Sequence, residues 1–253
     1  MRLDKFLFEK KFFQSRNKAS EAINRGEVFV NGIIADKSSV TVTDKDNIST
    51  LTGTISYVSL GGYKLQRALE TFEPLVYDKV FIDVGASTGG FTDCLLQNKA
   101  KKVYCVDVGE NQLAQEILNN PKVVVMDKTN ARYLTRADFQ ETVDGIVVDC
   151  SFISLEYILP PLINLIKDDG FILALIKPQF ETERKSKMKN GILRSEQERR
   201  RIIEKIYFFV ESLGLYFKNI CLATSDIKKN KEYIAYITKK APSKSIEDIC
   251  SKI

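Results

Sequence analysis

The chain has 253 residues, 44% of them hydrophobic and 28% charged, with a formal net charge of +5, so disordered and fibrous classes are excluded and one large domain, or a large and a small one, is expected. It contains no histidine, which excludes Ser-His-Asp and Cys-His hydrolases and His-ligated zinc sites and leaves proton transfer to Lys, Asp, Glu, Tyr or Cys. Five cysteines without a C-x-x-C pair point to reduced thiols in a cytoplasm, and neither a signal-peptide core nor an apolar run of the ~20 residues a membrane helix needs is present.

Leu3, Phe6 and Leu7 lie at helical spacing, ending near Lys10 and Lys11. Ser15 is a candidate N-cap for a second short helix with Ala19, Ala22 and Ile23 on one face, and Gly26 closes it. Val28, Val30, Asn31-Gly32 and Ile33 predict a hairpin, because Asn-Gly supplies the two φ > 0 positions of a type I′ turn. Val40 and Val42 predict one more strand before Asp44 and Asp46. This layout, with Arg2-Leu3-Asp4, Ser15-Arg16, Ala22-Ile23, Gly26, Val30-Asn31-Gly32 and Lys37, resembles the S-four-type RNA-binding module of a ribosomal small-subunit protein and of pseudouridine synthases. Lys37-Ser38-Ser39 stands where that module usually has Lys-Pro-Ser. The resemblance implies that Lys10, Lys11, Arg16 and Lys18 face RNA phosphates; solvated helix charges are the plain alternative.

Residues 59–64, containing Gly61-Gly62, read as a linker. From Lys79 onward, short β-branched runs at 80–84, 103–108, 123–126, 146–148 and 171–176 alternate with amphipathic segments such as 155–165 and 199–213. That alternation predicts a doubly wound, Rossmann-like α/β sheet. The expected division is a small α+β module over 1–58, the linker, an α/β domain over 65–240 and a tail over 241–253. Between 183 and 205 nine basic residues face four acidic ones. Arg184, Lys185 and Arg199 of this stretch are candidates for a polyanion-facing surface, against the alternative of a solvated helix face.

The first of these strands ends in Asp83-Val84 and runs into Gly85-Ala86-Ser87-Thr88-Gly89-Gly90-Phe91. A glycine-rich turn here lets backbone approach a ligand and aims helix N–H groups at it. Ser87 occupies the second glycine position of the dinucleotide fingerprint, which weakens a pyrophosphate reading, and Asp83 suits an ammonium group better. Asp107 ends the second strand, placed for ribose hydroxyls, and Asp127 ends the third, placed for an adenine amino group. Three acids at three successive strand ends favour S-adenosyl-L-methionine over NAD. The candidate cofactor residues are Asp83, Gly85, Ala86, Ser87, Gly89, Gly90, Phe91, Asp107, Asp127, Lys128 and Asp149.

The fourth strand delivers Asp149-Cys150-Ser151-Phe152, not the Asn/Asp-Pro-Pro-Tyr/Phe of base N-methyltransferases, and the fifth ends in Lys177-Pro178-Gln179-Phe180-Glu181. Proline keeps Lys177 extended at the strand tip. Lys64 opens a helix just before the first strand and Glu232 opens the last strand. Together with Ser59-Leu60-Gly61-Gly62-Tyr63-Lys64-Leu65 and Asp127-Lys128-Thr129-Asn130, these motifs resemble the TlyA, or hemolysin A, family of rRNA 2′-O-methyltransferases with an FtsJ-like catalytic domain. The resemblance implies a catalytic tetrad of Lys64, Asp149, Lys177 and Glu232, with Lys229 standing where a glycine is usual. It implies ribosomal RNA or ribosomal subunits as partner and cytidine as the modified nucleotide; the lack of a signal peptide, a pore-forming stretch or a membrane span argues against a membrane, and no obligate protein partner is evident. A ribose hydroxyl must share its proton as it attacks, so Lys177 is the base candidate, with Asp149 and Glu232 orienting the two amines. The rival readings are a membrane-active hemolysin and a catalytically inactive rRNA-binding assembly factor.

Overall fold

The β-branched runs pair side by side. The computed structural model describes the chain except residues 14, 25, 51–56, 184–187, 224–229 and 241, and at Lys189 only the backbone. The chain forms two units, Met1–Leu60 and Gly61–Ile253.

In the first unit, α1 (Leu3–Glu9) and α2 (Arg16–Asn24) precede a three-stranded antiparallel sheet of β1 (Val28–Val30), β2 (Ile33–Ile34) and β3 (Ile48–Thr50), in the order β2-β1-β3. Leu3, Leu7, Ala19, Ala22, Ile23 and Val28 form its core. Ser15 Oγ accepts from Lys18 N at 3.2 Å, and Asn31 and Gly32 take φ of 53° and 78°, the type I′ conformation. The strand expected at Val40 and Val42 is absent. Leu3 N donates to the Val40 carbonyl at 2.7 Å and Val42 N to the Met1 carbonyl at 2.8 Å, so this backbone is taken up by the first residues of the chain, and the third strand forms later, at Ile48.

Asp4 is buried and accepts from Arg2 Nε at 3.0 Å and from an Arg16 guanidinium nitrogen at 2.7 Å. The Arg2 hydrogen bond is the main cause holding its carboxyl at about 2, against an ordinary 3.8. The folded value lies below the unfolded one, so this stabilisation is complete above pH ~4 and is lost as pH falls through ~2. Asp4→Asn is expected to cost this unit on the order of 1–2 kcal/mol near neutrality and to flatten its stability slope between those pH values. Denaturant titrations of both proteins at several pH values measure this, and parallel pH profiles would refute it.

The helix α3 (Leu60–Phe72) starts at the last residue of the first unit and carries the chain into the second. Residues 60–64, expected as linker, are therefore helical, and Gly62 is buried against its surroundings. There follow β4 (Val80–Val84), α4 (Gly90–Gln97), β5 (Lys102–Val106), α5 (Gln115–Leu118), β6 (Val123–Met126) and β7 (Val143–Val148). Next come α6 (Leu155–Leu162), β8 (Ile166–Ile176), α7 (Pro178–Glu181) and a small hairpin of β9 (Met188–Lys189) and β10 (Ile192–Leu193). The chain closes with α8 (Glu196–Ser212), β11 (Tyr216–Leu222), β12 (Tyr233–Thr238) and α9 (Ile246–Cys250). The stretch expected as a tail thus carries a helix, and Ile249 is fully buried in the main core.

Seven strands form one sheet in the order β6-β5-β4-β7-β8-β12-β11. All neighbours pair in parallel except β12, which runs antiparallel to both β8 and β11. Ile82, Val84, Ile146 and Val148 face one side, under α6, α8 and α9. Phe81 and Asp83 face the other, where Thr92 of α4 reaches Asp83. Each fully buried Ile or Val contributes roughly 1.5–3 kcal/mol, so the strands around Asp83 hold a buried carboxyl that would be costly in isolation. The strand order reverses between β4 and β7, and in such sheets the crevice beyond the strand C-termini at that switch is the binding site. Because β12 is antiparallel, its beginning, and Glu232 just before it, comes to the same edge; Tyr233 pairs with Ile176.

Candidate active site

At that edge the chain turns sharply after β4. Gly85 has φ of 82°, and a Cβ there would stand 2.8 Å from the Asp149 carbonyl oxygen, so only glycine lets the loops after β4 and β7 touch. Ser87 and Gly89 are also left-handed, which folds the turn back before α4 begins at Gly90. Ala86 and Phe91 are buried beneath it.

Asp83 is fully buried, and its Oδ2 accepts from Thr92 N at 2.9 Å and Thr92 Oγ1 at 2.7 Å. Burial is the main cause pushing its carboxyl up to about 7; Asp149 and Asp107 add to the rise and the Thr92 bonds oppose it. Its Oδ1 is buried without a hydrogen-bond partner among the described residues. Asp107 accepts from Ser87 N at 2.9 Å and Gly109 N at 2.8 Å, so it also shapes the loop. Asp127 accepts from Asn111 N at 2.9 Å. The Lys128 side chain pairs with Glu110 at 2.7 Å and is 68% exposed.

The other half of the edge carries two lysine–carboxylate pairs. Lys177, buried at the tip of β8, lies 2.5 Å from Asp149 Oδ1 and donates to Ser151 Oγ at 2.8 Å. Lys64 donates to Glu232 Oε2 at 2.7 Å, and Glu232 Oε1 accepts from Gln179 Nε2 at 3.0 Å. Lys64 lies in the second turn of α3 and does not open it. Both pairs are largely shielded, so removing one member leaves a poorly solvated charge, unlike an exposed ion pair. Ser151, Gln179 and Thr92 were not singled out from the sequence, although each lies inside or next to a motif that was. Phe152 has φ of 64°, is 88% exposed, and sits 4.7 Å from the Phe180 ring centroid to centroid. The Cys150 thiol is pushed up to about 12, first of all by burial, which leaves it unreactive.

Of the expected RNA-facing residues, Lys10, Lys11, Arg16 and Lys18 are exposed. Lys10 pairs with Asp44 at 2.7 Å and Arg16 with Asp4. Arg199 is a correction: it is buried in α8 and donates to the carbonyls of Leu193 and Arg194 at 3.3 and 2.7 Å, fastening the β10 end to the helix. Its neighbours at 200 and 201 carry the exposed charge of that face instead. Arg184, Lys185 and Lys229 lie outside the described residues.

A sheet of this strand order, with a glycine turn after β4 and acids at the ends of three adjacent strands, defines a Rossmann-like methyltransferase fold. A family model described as FtsJ-like methyltransferase matches residues 57–241, and one described as S4 domain matches residues 1–48. Hemolysin A of Brachyspira hyodysenteriae is 39% identical over 238 residues, covering 94% of this chain and 98% of that protein. The 16S/23S rRNA (cytidine-2′-O)-methyltransferase TlyA of Mycobacterium tuberculosis is 38% identical over 214 residues, 84% of this chain and 80% of that one. A solved structure from Streptococcus thermophilus, also bearing a hemolysin name, is 35% identical with a TM-score of 0.74, and the match covers 99% of this chain and 94% of that one. The chain belongs to the FtsJ-like methyltransferase family and is an enzyme of that class, with an S4 domain at its N-terminus. The family resemblance drawn from its motifs is borne out. Among the described residues no helix is long and apolar enough to cross a membrane.

Proposed function

We propose that this enzyme transfers a methyl group from S-adenosyl-L-methionine to a ribose 2′ hydroxyl of ribosomal RNA, at cytidine, in the cytoplasm where ribosomal subunits are found. The observation that carries the reading is Lys177 held at 2.5 Å by Asp149 at the end of β8, next to the glycine turn whose Gly85 touches Asp149. The chemistry of the donor set fits that methyl donor. Asp107 and Asp127 keep lone pairs unused by the chain for ribose hydroxyls and an amino group, and Asp83 and Asp149 bring negative character to a cation. The residues proposed to hold it are Asp83, Gly85, Ala86, Ser87, Gly89, Gly90, Phe91, Asp107, Asp127, Lys128 and Asp149.

When bound, the donor supplies a methyl group activated by a cationic sulfur. The chain's own residues do the rest. As the 2′ oxygen bonds to the methyl carbon it gives up its proton, and Lys177 can take it once the amine has released one of its own three protons to solvent. Ser151 Oγ accepts one N–H of Lys177 and the Asp149 carboxylate lies 2.5 Å away, so the amine is held at the strand tip where the hydroxyl proton is to be received. Lys64, fixed by Glu232, places a second cation where charge develops on oxygen. Holding the hydroxyl in line is itself worth several kcal/mol, on the order of 7 or more in well-oriented cases. The exposed Phe152 ring offers a face for the base of the target nucleotide. Incubating ribosomal subunits lacking the modification with labelled donor and mapping the labelled nucleotide tests the proposal; label on a base or on protein would refute it.

Binding of folded RNA should draw on exposed lysines of the S4 domain. Lys11→Glu combined with Lys18→Glu is expected to weaken subunit binding and flatten the slope of log affinity against log salt by about one unit for each phosphate that is no longer neutralised. Arg16 is unsuitable for this test, since a carboxylate there would face buried Asp4. An unchanged slope in filter binding across a salt series would remove these two residues from the RNA surface.

A further inference from the structure

We propose that Glu181 is a positioning residue that fastens the loop carrying Asp149, Ser151 and Phe152 to the segment carrying Lys177, Gln179 and Phe180, and so sets the reacting groups against each other. The inference rests on the ribose-methylation reading of the same site. Glu181 ends α7 and is 6% exposed. Its Oε2 accepts from Ser154 Oγ at 2.6 Å and its Oε1 from Leu155 N at 2.9 Å. Ser154 is the N-cap of α6, so the carboxylate lies over the first turn of that helix, where the unpaired N–H groups favour negative charge. The residues it joins are 26 and 27 positions apart in sequence.

A buried carboxylate needs a reason. Burial raises the Glu181 carboxyl above the ordinary range, while the hydrogen bonds from Ser154 and Leu155 and the charge of Lys205 hold it down. Lys205 itself is engaged with Glu156 at 2.7 Å and Glu183 at 3.5 Å, and among the described residues no ion pair to Glu181 is found. What the carboxylate holds is a strained loop. Phe152, two residues before Ser154, is a non-glycine residue at φ of 64°, a conformation that persists only where its flanks are fixed. Fixing them also keeps Ser151 Oγ within 2.8 Å of Lys177 and Phe152 against Phe180. The carboxylate therefore spans the same two segments as the chemistry, one turn of chain behind it.

Glu181→Ala is expected to lower kcat on ribosomal subunits about tenfold or more at saturating RNA, with donor affinity by calorimetry within about twofold of wild type. Glu181→Gln keeps the length, a carbonyl oxygen for Leu155 N and an amide N–H for Ser154 Oγ, and is expected to restore kcat to within about threefold. A purely structural role would instead lower the donor-binding stoichiometry and kcat in equal proportion. Hydrogen exchange gives a readout that needs no methyl transfer: in Glu181→Ala, peptides covering 149–155 and 177–181 should exchange faster, and those covering β4 and β5 should not. Should Glu181→Ala fail to fold, Ser154→Ala removes one of the two bonds and is expected to shift kcat and exchange in the same direction by a smaller factor. Unchanged exchange in both segments, or kcat within twofold of wild type in the alanine variant, overturns the proposal. A wild-type enzyme that leaves ribosomal RNA unmethylated overturns the ribose reading instead, and the exchange result then still decides whether Glu181 fastens the loops.

Discussion

Lys177→Ala is expected to slow methyl transfer by about 10²–10⁴-fold, the usual worth of a positioned general base, with the dissociation constant of the donor changed by less than about twofold. The asymmetry follows from the role proposed for the amine, which is tied to Asp149 and Ser151 at the tip of β8 and serves the attacking hydroxyl and not the donor. Lys177→Met, which keeps the aliphatic stem and its packing, should behave the same way, showing that the loss belongs to the nitrogen. Single-turnover transfer to ribosomal subunits with labelled donor provides the rate and calorimetry the affinity. A variant retaining more than about a tenth of wild-type kcat, a barrier change below ~1.4 kcal/mol, would remove Lys177 from the base role.

Gly85→Val should act on the opposite quantity. A β-branched residue at φ of 82° is strained whatever its surroundings, and here the added carbon also lands 2.8 Å from the Asp149 carbonyl. Relief requires the turn after β4 and the loop after β7 to separate, which moves Ser87 away from Asp107 and breaks the ring of groups proposed to hold the donor. Donor affinity is expected to fall by at least about 100-fold (roughly 2.7 kcal/mol), with a loss of folding stability of a few kcal/mol. Gly85→Ala should show both effects in milder form. Calorimetric titration at a temperature well below the melting transition separates the two, and near-normal donor affinity in a folded Gly85→Val protein would be incompatible with this picture.

The periodicity of the chain exposed its sheet because parallel strands buried on both faces read as continuous apolar, β-branched runs, as in 80–84 and 146–148. It did not expose the helical start at Leu60, since Gly61-Gly62 has the composition of a hinge and is helical only within its folded surroundings. The same holds for Val42, whose apolar character is used beneath the first residues of the chain and not in a strand. In the site, Asp83, Asp107, Asp127, Asp149 and Lys177 fall at or next to strand ends, where the motif order places them together, while Lys64 comes from within α3. Gln179 and Ser151 did not stand out, because a neutral amide and a hydroxyl acquire meaning only from the charged atoms that folding brings to them. Arg199 failed for the converse reason. A run of three arginines on a helix shows no sign of which one turns inward, and that choice belongs to the carbonyls of Leu193 and Arg194.

The placement of β12 between β8 and β11 gives the protein a history during its own synthesis. Glu232 reaches Lys64 only when the last strand slots in antiparallel, after every other strand of the sheet has been made. A chain still being translated, with its first two hundred residues already emerged, can hold the S4 domain, the turn after β4 and the Lys177–Asp149 pair, yet it leaves β8 as an open edge and Lys64 without its acid. Domains fold in the order in which they leave the ribosome. On the function proposed above, recognition is then made first and competence last, and a chain stalled short of residue 232 is expected to bind RNA without modifying it.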